Sequence, residues 1–323
     1  QRYAGLSVAA PLDDPDSGAP LDPAHAFTGA AGGDVLCWDI YSHAAIQLRH
    51  GAEALGLPTV KQLVAAGESQ SAFRLSRYFN SIQPQLGLYD GFLLYDRGGP
   101  HALRDDIAAK LIGMGSEFFA EYAGAAPPDT ANQRWWDLAG ASHVSLAEMV
   151  DDIDPQVRRD GVHQSGGHPV SLTELMAQGA DPDMPPLWSR VPNADLMKAA
   201  LRALTRWIAQ GVAPPSAPRL QLDGAAMPAR LLRDADGRVL GGVRFAAYEV
   251  PVATNVGVTD GSPRLAGYHL DFTPAELTRR YGSPDRYVAL VAAAVQANLA
   301  QGFLLPQEAD RVMAEARLVR FSP

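Results

Sequence analysis

Short apolar runs alternate with amphipathic stretches along much of this chain, a rhythm that predicts strands alternating with helices. The clearest unit spans 60–82. An apolar run over 60–66 reads as a strand and stops at Gly67. After Ser69, the residues Ala72, Leu75, Phe79 and Ile82 recur at helical spacing and form one buried stripe, which Pro84 to Gly87 breaks. Upstream, Cys37, Tyr41, Ala44, Ala45 and Leu48 share one face of a helix over about 35–51, with Asp34 as its cap. Downstream, 89–95, 110–115 and 135–140 read as further strands. Asn193 is placed to cap a helix running to about 210, with Leu196, Ala200, Leu204 and Trp207 on its apolar face. Strands alternating with helices imply an α/β fold with a mostly parallel sheet.

The rhythm fails in three places. Residues 1–34, rich in Pro, Gly, Asp and Ala, read as loop or extended arm. Residues 147–192 look irregular, with Gly166-Gly167 and Pro182, Pro185 and Pro186. A long insertion of that kind in a compact domain is usually functional, and a lid is expected here. The Pro-rich segment 214–218 reads as a linker, after which the pattern changes to α+β. There, 231–242 reads as a hairpin turning at Asp236-Gly237, and 248–254 reads as extended. Helices are expected from Thr273-Pro274, over 284–301 and over 306–316. The organisation is therefore a core over 1–218 and an extension over 219–323.

Composition narrows the function classes. A length of 323 residues allows one large α/β domain, alone or with an appendage. No apolar run approaches the ~18 residues of a membrane-crossing helix. The net charge of −9 argues against nucleic acid or anionic membranes as partners. Cys37 is the sole cysteine, so neither an intrachain disulfide nor a thiolate metal site can form. The N-terminus lacks a basic region followed by an apolar one, so no signal peptide is read. Gln1 is not an initiator methionine, so the chain is expected to start after processing or to be a fragment. The compartment stays open.

Gly67-Glu68-Ser69-Gln70-Ser71, set between a strand and a helix, matches the Gly-x-Ser-x-Gly nucleophile elbow except for its last glycine. Such a turn exposes a serine to substrate and leaves helix N-terminal N–H groups, Gln70's among them, to hold an oxyanion. The bland alternative is an N-capping serine. A serine needs a histidine to take its proton and a carboxylate to orient that histidine. In hydrolases with this elbow they follow in the order serine, acid, histidine, at later strand ends. His143 fits as the base. His163 and His168, in the irregular stretch, compete with it; His269 lies in the tail, and His25, His43, His50 and His101 break the order. Glu117 is the preferred acid, with Asp96, Glu121 and Asp137 as alternatives. Glu68 reads as structural or substrate-facing. The loop that would give a second oxyanion donor is not found before Ser69. The early strands are expected to be missing, reordered or supplied by another chain, a second copy included. No spacing suggests a metal, nucleotide or other cofactor. Trp135-Trp136 reads as core, with an acyl or aryl pocket as the alternative.

These residues carry a resemblance. The chain resembles the bacterial "alpha/beta hydrolase domain" proteins of the α/β-hydrolase superfamily over most of its length. The likeness rests on Trp38-Asp39-Ile40-Tyr41-Ser42, Ala66-Gly67-Glu68-Ser69-Gln70-Ser71-Ala72 and Tyr89-Asp90-Gly91-Phe92-Leu93. It continues through Leu138-Ala139-Gly140-Ala141-Ser142-His143, Ala203-Leu204-Thr205-Arg206-Trp207, Gly241-Gly242-Val243-Arg244 and Val250-Pro251-Val252-Ala253-Thr254. The resemblance implies Ser69 as nucleophile and His143 as base. The family often reads Ser-Glu-x-Asp after the acid strand; Glu117 matches the glutamate, and Phe119 stands where the aspartate would be. Members are longer at the N-terminus, which agrees with absent early strands, and they include the tail, which implies that 219–323 packs on the core. The function expected is a serine hydrolase of small carboxylic esters working through an acyl-enzyme. The alternatives are a non-catalytic binding or scaffold protein of the same fold, or an amidase or lactonase of the same mechanism.

Overall fold

The computed structural model describes residues 37–98, 102–159, 187–224, 229–259 and 265–321. The arm 1–34 with its cap Asp34, residues 160–186 of the insertion, and His163 and His168 lie outside them. In chain order the first elements are α1 (Cys37–His50), β1 (Val64–Glu68), α2 (Gln70–Ser81), α3 (Gln83–Leu86), β2 (Gly91–Tyr95), β3 (Lys110–Gly115), α4 (Glu117–Ala123) and β4 (Gln133–Asp137). The four strands form one sheet in the order β1-β2-β3-β4, every neighbouring pair parallel. All their carboxyl ends therefore meet at one edge, where open α/β sheets place their sites.

Alternation along the strands gives the sheet two apolar faces. Phe92, Leu94 and Leu111 face one way and meet Leu75, Tyr78 and Phe79 of α2 and Ala45 of α1. Each such buried side chain contributes about 1.5–3 kcal/mol. Leu93, Ile112, Met114 and Trp136 face the other way, into a second cluster. That cluster takes Leu196 and Leu204 from α7 (Asn193–Gln210) and Val243, Val295 and Phe303 from the tail.

Several boundaries differ from those the sequence predicts, each for a local reason. β1 starts at Val64, not at 60. Asp90 accepts the Leu63 N–H on its carboxylate at 2.6 Å, pairs with Arg49 at 2.9 Å and donates its own N–H to Leu63 O at 2.8 Å, so one side chain shares the strand margin with the backbone. Pro84 does not end a helix but opens α3 in its first turn, where a missing N–H costs nothing. β4 covers Gln133–Asp137, and beyond it only Leu138 pairs, with Val243. Pro192, not Asn193, occupies the cap position of α7. Residues 146–159 are helical rather than irregular, as α5 (Leu146–Glu148), a π segment (Met149–Ile153) and α6 (Asp154–Arg159). Ser145 and Glu148 form a capping box there, a start signal legible in the sequence.

The tail holds two short antiparallel pairs, β5 (Leu222–Asp223) with β6 (Arg230–Leu231), and β7 (Ala253–Val256) with β8 (Tyr268–Asp271). The hairpin expected over 231–242 shrinks to one rung, Arg233 with Val239. Asp234 Oδ1 accepts the N–H groups of Asp236 and Arg238, which builds a wider turn than Asp236-Gly237 alone would. Residues 248 and 249 end a helical turn, α8 (Ala246–Glu249), and are not extended. The helices α9 (Pro274–Tyr281), α10 (Pro284–Gln301) and α11 (Pro306–Ala316) run as their Pro starts predict. Val243 adds a parallel rung beside β4: its N–H donates to Asp137 O at 2.6 Å, and its carbonyl accepts from Ala139 N at 3.0 Å.

Candidate active site

The first element of the site is the turn from β1 into α2. A side chain at Gly67 would place its Cβ 2.9 Å from the Ala72 backbone nitrogen, so the close crossing of strand and helix demands glycine. Ser69 has φ 54° and ψ −119°, a conformation side-chain-bearing residues avoid. It occupies the cap position of α2, yet its hydroxyl makes no cap hydrogen bond. The capping alternative therefore fails on geometry. The Ser69 N–H donates to Tyr95 O at 2.9 Å, which ties the turn to the end of β2. Ser69 is half-buried. Gln70 opens the helix, so its N–H is a first-turn donor without an intrahelical acceptor.

One strand away, Asp96 follows Tyr95 and is fully buried, with φ 49°. Its Oδ2 lies 2.7 Å from His143 Nδ1. Ser116 donates twice to the same carboxylate, from its N–H to Oδ1 and from its hydroxyl to Oδ2, both at 2.6 Å. Burial holds the Asp96 carboxyl above its usual range, and the His143 and Ser116 bonds offset only part of that rise. Paired with an ionised Asp96, which can only accept, an imidazole would carry a proton on Nδ1 and present Nε2 as an acceptor. That is the tautomer a general base needs.

His143 is itself held in place. The Ser142 carbonyl before it accepts from Tyr95 Oη at 3.0 Å and from Asn193 Nδ2 at 2.9 Å. The Phe119 ring lies 4.9 Å from the imidazole centroid and the Phe118 ring 6.0 Å from it. A small cavity of about 70 Å³ adjoins Asp96 and is lined by Phe119, Trp135 and Asp137 among others. Trp136 is core and packs edge-on against Phe303 at 5.0 Å, whereas Trp135 lines that cavity while also packing over Gly113.

The structure does not bring Glu117 to His143, contrary to the sequence expectation. Glu117 is the first residue of α4 and is fully buried. Its Oε1 accepts from Gly140 N at 2.7 Å, and its Oε2 accepts from Gly257 N at 3.1 Å and Arg233 at 3.0 Å. Burial raises its pKa, offset by Arg233 and the two backbone N–H groups. With both oxygens so engaged, its geometry is that of a clamp between the His143 loop and the tail. Asp137 likewise serves structure, accepting from Leu220 N at 3.0 Å, with burial pushing its carboxyl up to about 6. His269 bonds Asn255 and Asp271 in the β7–β8 pair.

Sequence reasoning named Asp96 only as an alternative and gave Ser116, Tyr95 and Asn193 no part. Their signals were faint. Ser116 looks like a helix cap but makes no cap hydrogen bond, its hydroxyl being spent on Asp96. Asn193 looks like a cap and turns inward instead. Glu68, beside Ser69, has its carboxyl pushed up to about 9 by burial and by the nearby charges of Glu148 and Asp96. Among the described residues, no cluster of three His, Cys, Asp or Glu side chains could hold a metal. No described helix is long and apolar enough to cross a membrane.

A family model described as "Alpha/beta hydrolase domain" matches residues 1–314. No curated protein and no solved structure matches the chain.

Proposed function

The chain belongs to the alpha/beta hydrolase domain family, and from that premise we propose that it is a serine hydrolase of carboxylic esters, with Ser69, His143 and Asp96 as its triad. The observation that carries this reading is the buried Asp96–His143 pair at 2.7 Å, on the strand next to a serine held at positive φ with no capping bond. Asp96 takes the acid role first expected of Glu117.

In the proposed reaction Ser69 Oγ attacks the ester carbonyl while its proton passes to His143 Nε2. Asp96 stabilises the resulting imidazolium. The Gln70 N–H holds the oxyanion, a contribution of about 3–4 kcal/mol for one donor. The imidazolium then gives its proton to the departing alkoxide, and an acyl-enzyme remains. Water, deprotonated by His143, attacks the acyl carbon and frees Ser69.

The insertion 147–192 is the proposed lid. Its helical start follows His143 directly, and Met149 and Trp188 gather there with Ala266 into a small apolar cluster. Trimming the insertion should shift acyl-chain preference.

Treatment with a fluorophosphonate should place one adduct on Ser69, mapped by peptide mass spectrometry, and Ser69→Ala should abolish both labelling and p-nitrophenyl acetate hydrolysis. An adduct on another residue, or hydrolysis unchanged in Ser69→Ala, rejects the assignment. Absence of both labelling and turnover in the intact protein would favour a binding or scaffold role for the fold.

A further inference from the structure

Tyr95 reaches every member of the proposed triad. Its carbonyl accepts the Ser69 N–H at 2.9 Å, and Asp96 is its neighbour in the chain. Its Oη donates to the carbonyl of Ser142, the residue before His143, at 3.0 Å. Its ring lies nearly parallel to the imidazole, with 6.4 Å between centroids and 20° between planes. The side chain is 2% exposed, and burial holds the phenol well above its usual pKa, so Oη keeps a proton to give.

Asn193, at the start of α7, closes the arrangement. Its Nδ2 donates to Tyr95 Oη at 2.7 Å and to Ser142 O at 2.9 Å. The Ser142 carbonyl therefore has a donor for each of its two lone pairs. On the far side of His143, the Ser142 hydroxyl donates to Val144 O at 2.7 Å. With the carbonyls before and after the histidine both tied, the 142–143 peptide plane cannot turn, which fixes where the His143 Cβ points. Asn193 Oδ1 is meanwhile buried with no hydrogen-bond partner among the described residues. Packing alone would favour an apolar residue of the same shape there, so the position calls for the two donors.

We propose that Tyr95 and Asn193 are positioning residues that act through the Ser142 carbonyl, holding the His143 imidazole against Asp96 with Nε2 free to take the Ser69 proton. This role rests on the proposed triad. The two donors serve one carbonyl, so either alone still holds it and removing both releases it.

Tyr95→Phe and Asn193→Leu test this, because they keep ring and volume while removing the donors. Each alone should lower kcat for p-nitrophenyl acetate about fivefold. The double variant should lower it about 10²-fold, more than the product of the single losses, with KM within twofold of the parent's. Nitrogen-15 NMR of labelled histidines, with His143 assigned by His143→Gln, gives a readout that needs no turnover. Once the ring is neutral, the parent's His143 should hold its proton on Nδ1, and the double variant should mix in the Nε2–H tautomer. A double variant that keeps the parent's tautomer, or a kcat within threefold of the parent's, overturns the proposal. If the parent does not turn over the ester, the serine-hydrolase reading fails by itself, and the tautomer decides whether this pair positions His143. Should the double variant not fold, Tyr95→Phe decides: a fivefold loss at unchanged KM supports the role, and an unchanged kcat overturns it.

Discussion

Ser69 and Asp96 both hold left-handed backbone at the ends of adjacent strands. Each such residue costs about 1–3 kcal/mol and persists only where its surroundings over-determine it. For Ser69 the surroundings are the bond to Tyr95 and the start of α2; for Asp96 they are Ser116 and His143. The two buried carboxylates near the edge should separate in experiment. Asp96→Asn should lower kcat by about 10³–10⁴-fold with little change in KM, because an amide can hold the wrong imidazole tautomer. Glu117→Gln should leave kcat within about threefold and cost about 1–3 kcal/mol in urea unfolding, since it leaves a buried clamp mispaired. The reverse pattern would return the acid role to Glu117. Why the sequence favoured Glu117 is now clear. Both carboxylates directly follow strands, and position at a strand end does not say which way a side chain turns. Arg233, far along the chain, holds Glu117 away from the imidazole. Glu68 gives a pH signature. Its folded carboxyl keeps its proton up to about 9, whereas an unfolded glutamate releases it near ~4.3. Between those values the folded chain binds more protons, so this residue's contribution falls as pH rises. Glu68→Gln should therefore be more stable than the parent at pH 8, by about 1 kcal/mol for a half-buried, partly screened carboxyl, and equal to it at pH 4.

At the scale of elements, helices were more legible than strands. α7, α10 and α11 run where their apolar spacing and their Gly or Pro punctuation put them. The start of β1 moved where the Asp90 carboxylate takes the Leu63 N–H alongside the backbone bond between the same two residues. The Ser145 capping box shows that a helical signal stood at the very edge of the stretch 147–192 read as irregular. The turn from β1 into α2 was legible because sterics leave it few sequences. Gly67→Ala should test that economy directly. A methyl there meets backbone, not a yielding side chain, so the melting temperature should drop, with a loss of at least about 2 kcal/mol. Fluorophosphonate labelling of the folded fraction should fall with it; an unchanged melting temperature would refute the close-crossing argument.

Across the whole molecule, the tail and the sheet share one core. Val243, Val295 and Phe303 stand in the same apolar cluster as Ile112 and Trp136. Sequence pattern alone marked a change of character near 219, which reads as a boundary, but pattern cannot show whose apolar face meets whose. Ending the chain at 218 should leave that face bare and give an insoluble or molten product. Limited proteolysis of the intact protein should yield no stable 1–218 fragment, and a soluble, cooperatively melting fragment would contradict the shared core.

Glu117 binds the loop at Gly140 to Gly257 and Arg233, so the surroundings of His143 rest on residues made long after Ser69. On the ribosome the elbow emerges first and waits roughly 10–40 s for Gly257 to follow. Throughout that interval the nascent chain carries a serine already written into it and no finished chamber to use it in. Under the proposed function, hydrolytic competence would thus wait for Gly257, and a polypeptide terminated before it would be inert rather than partly active.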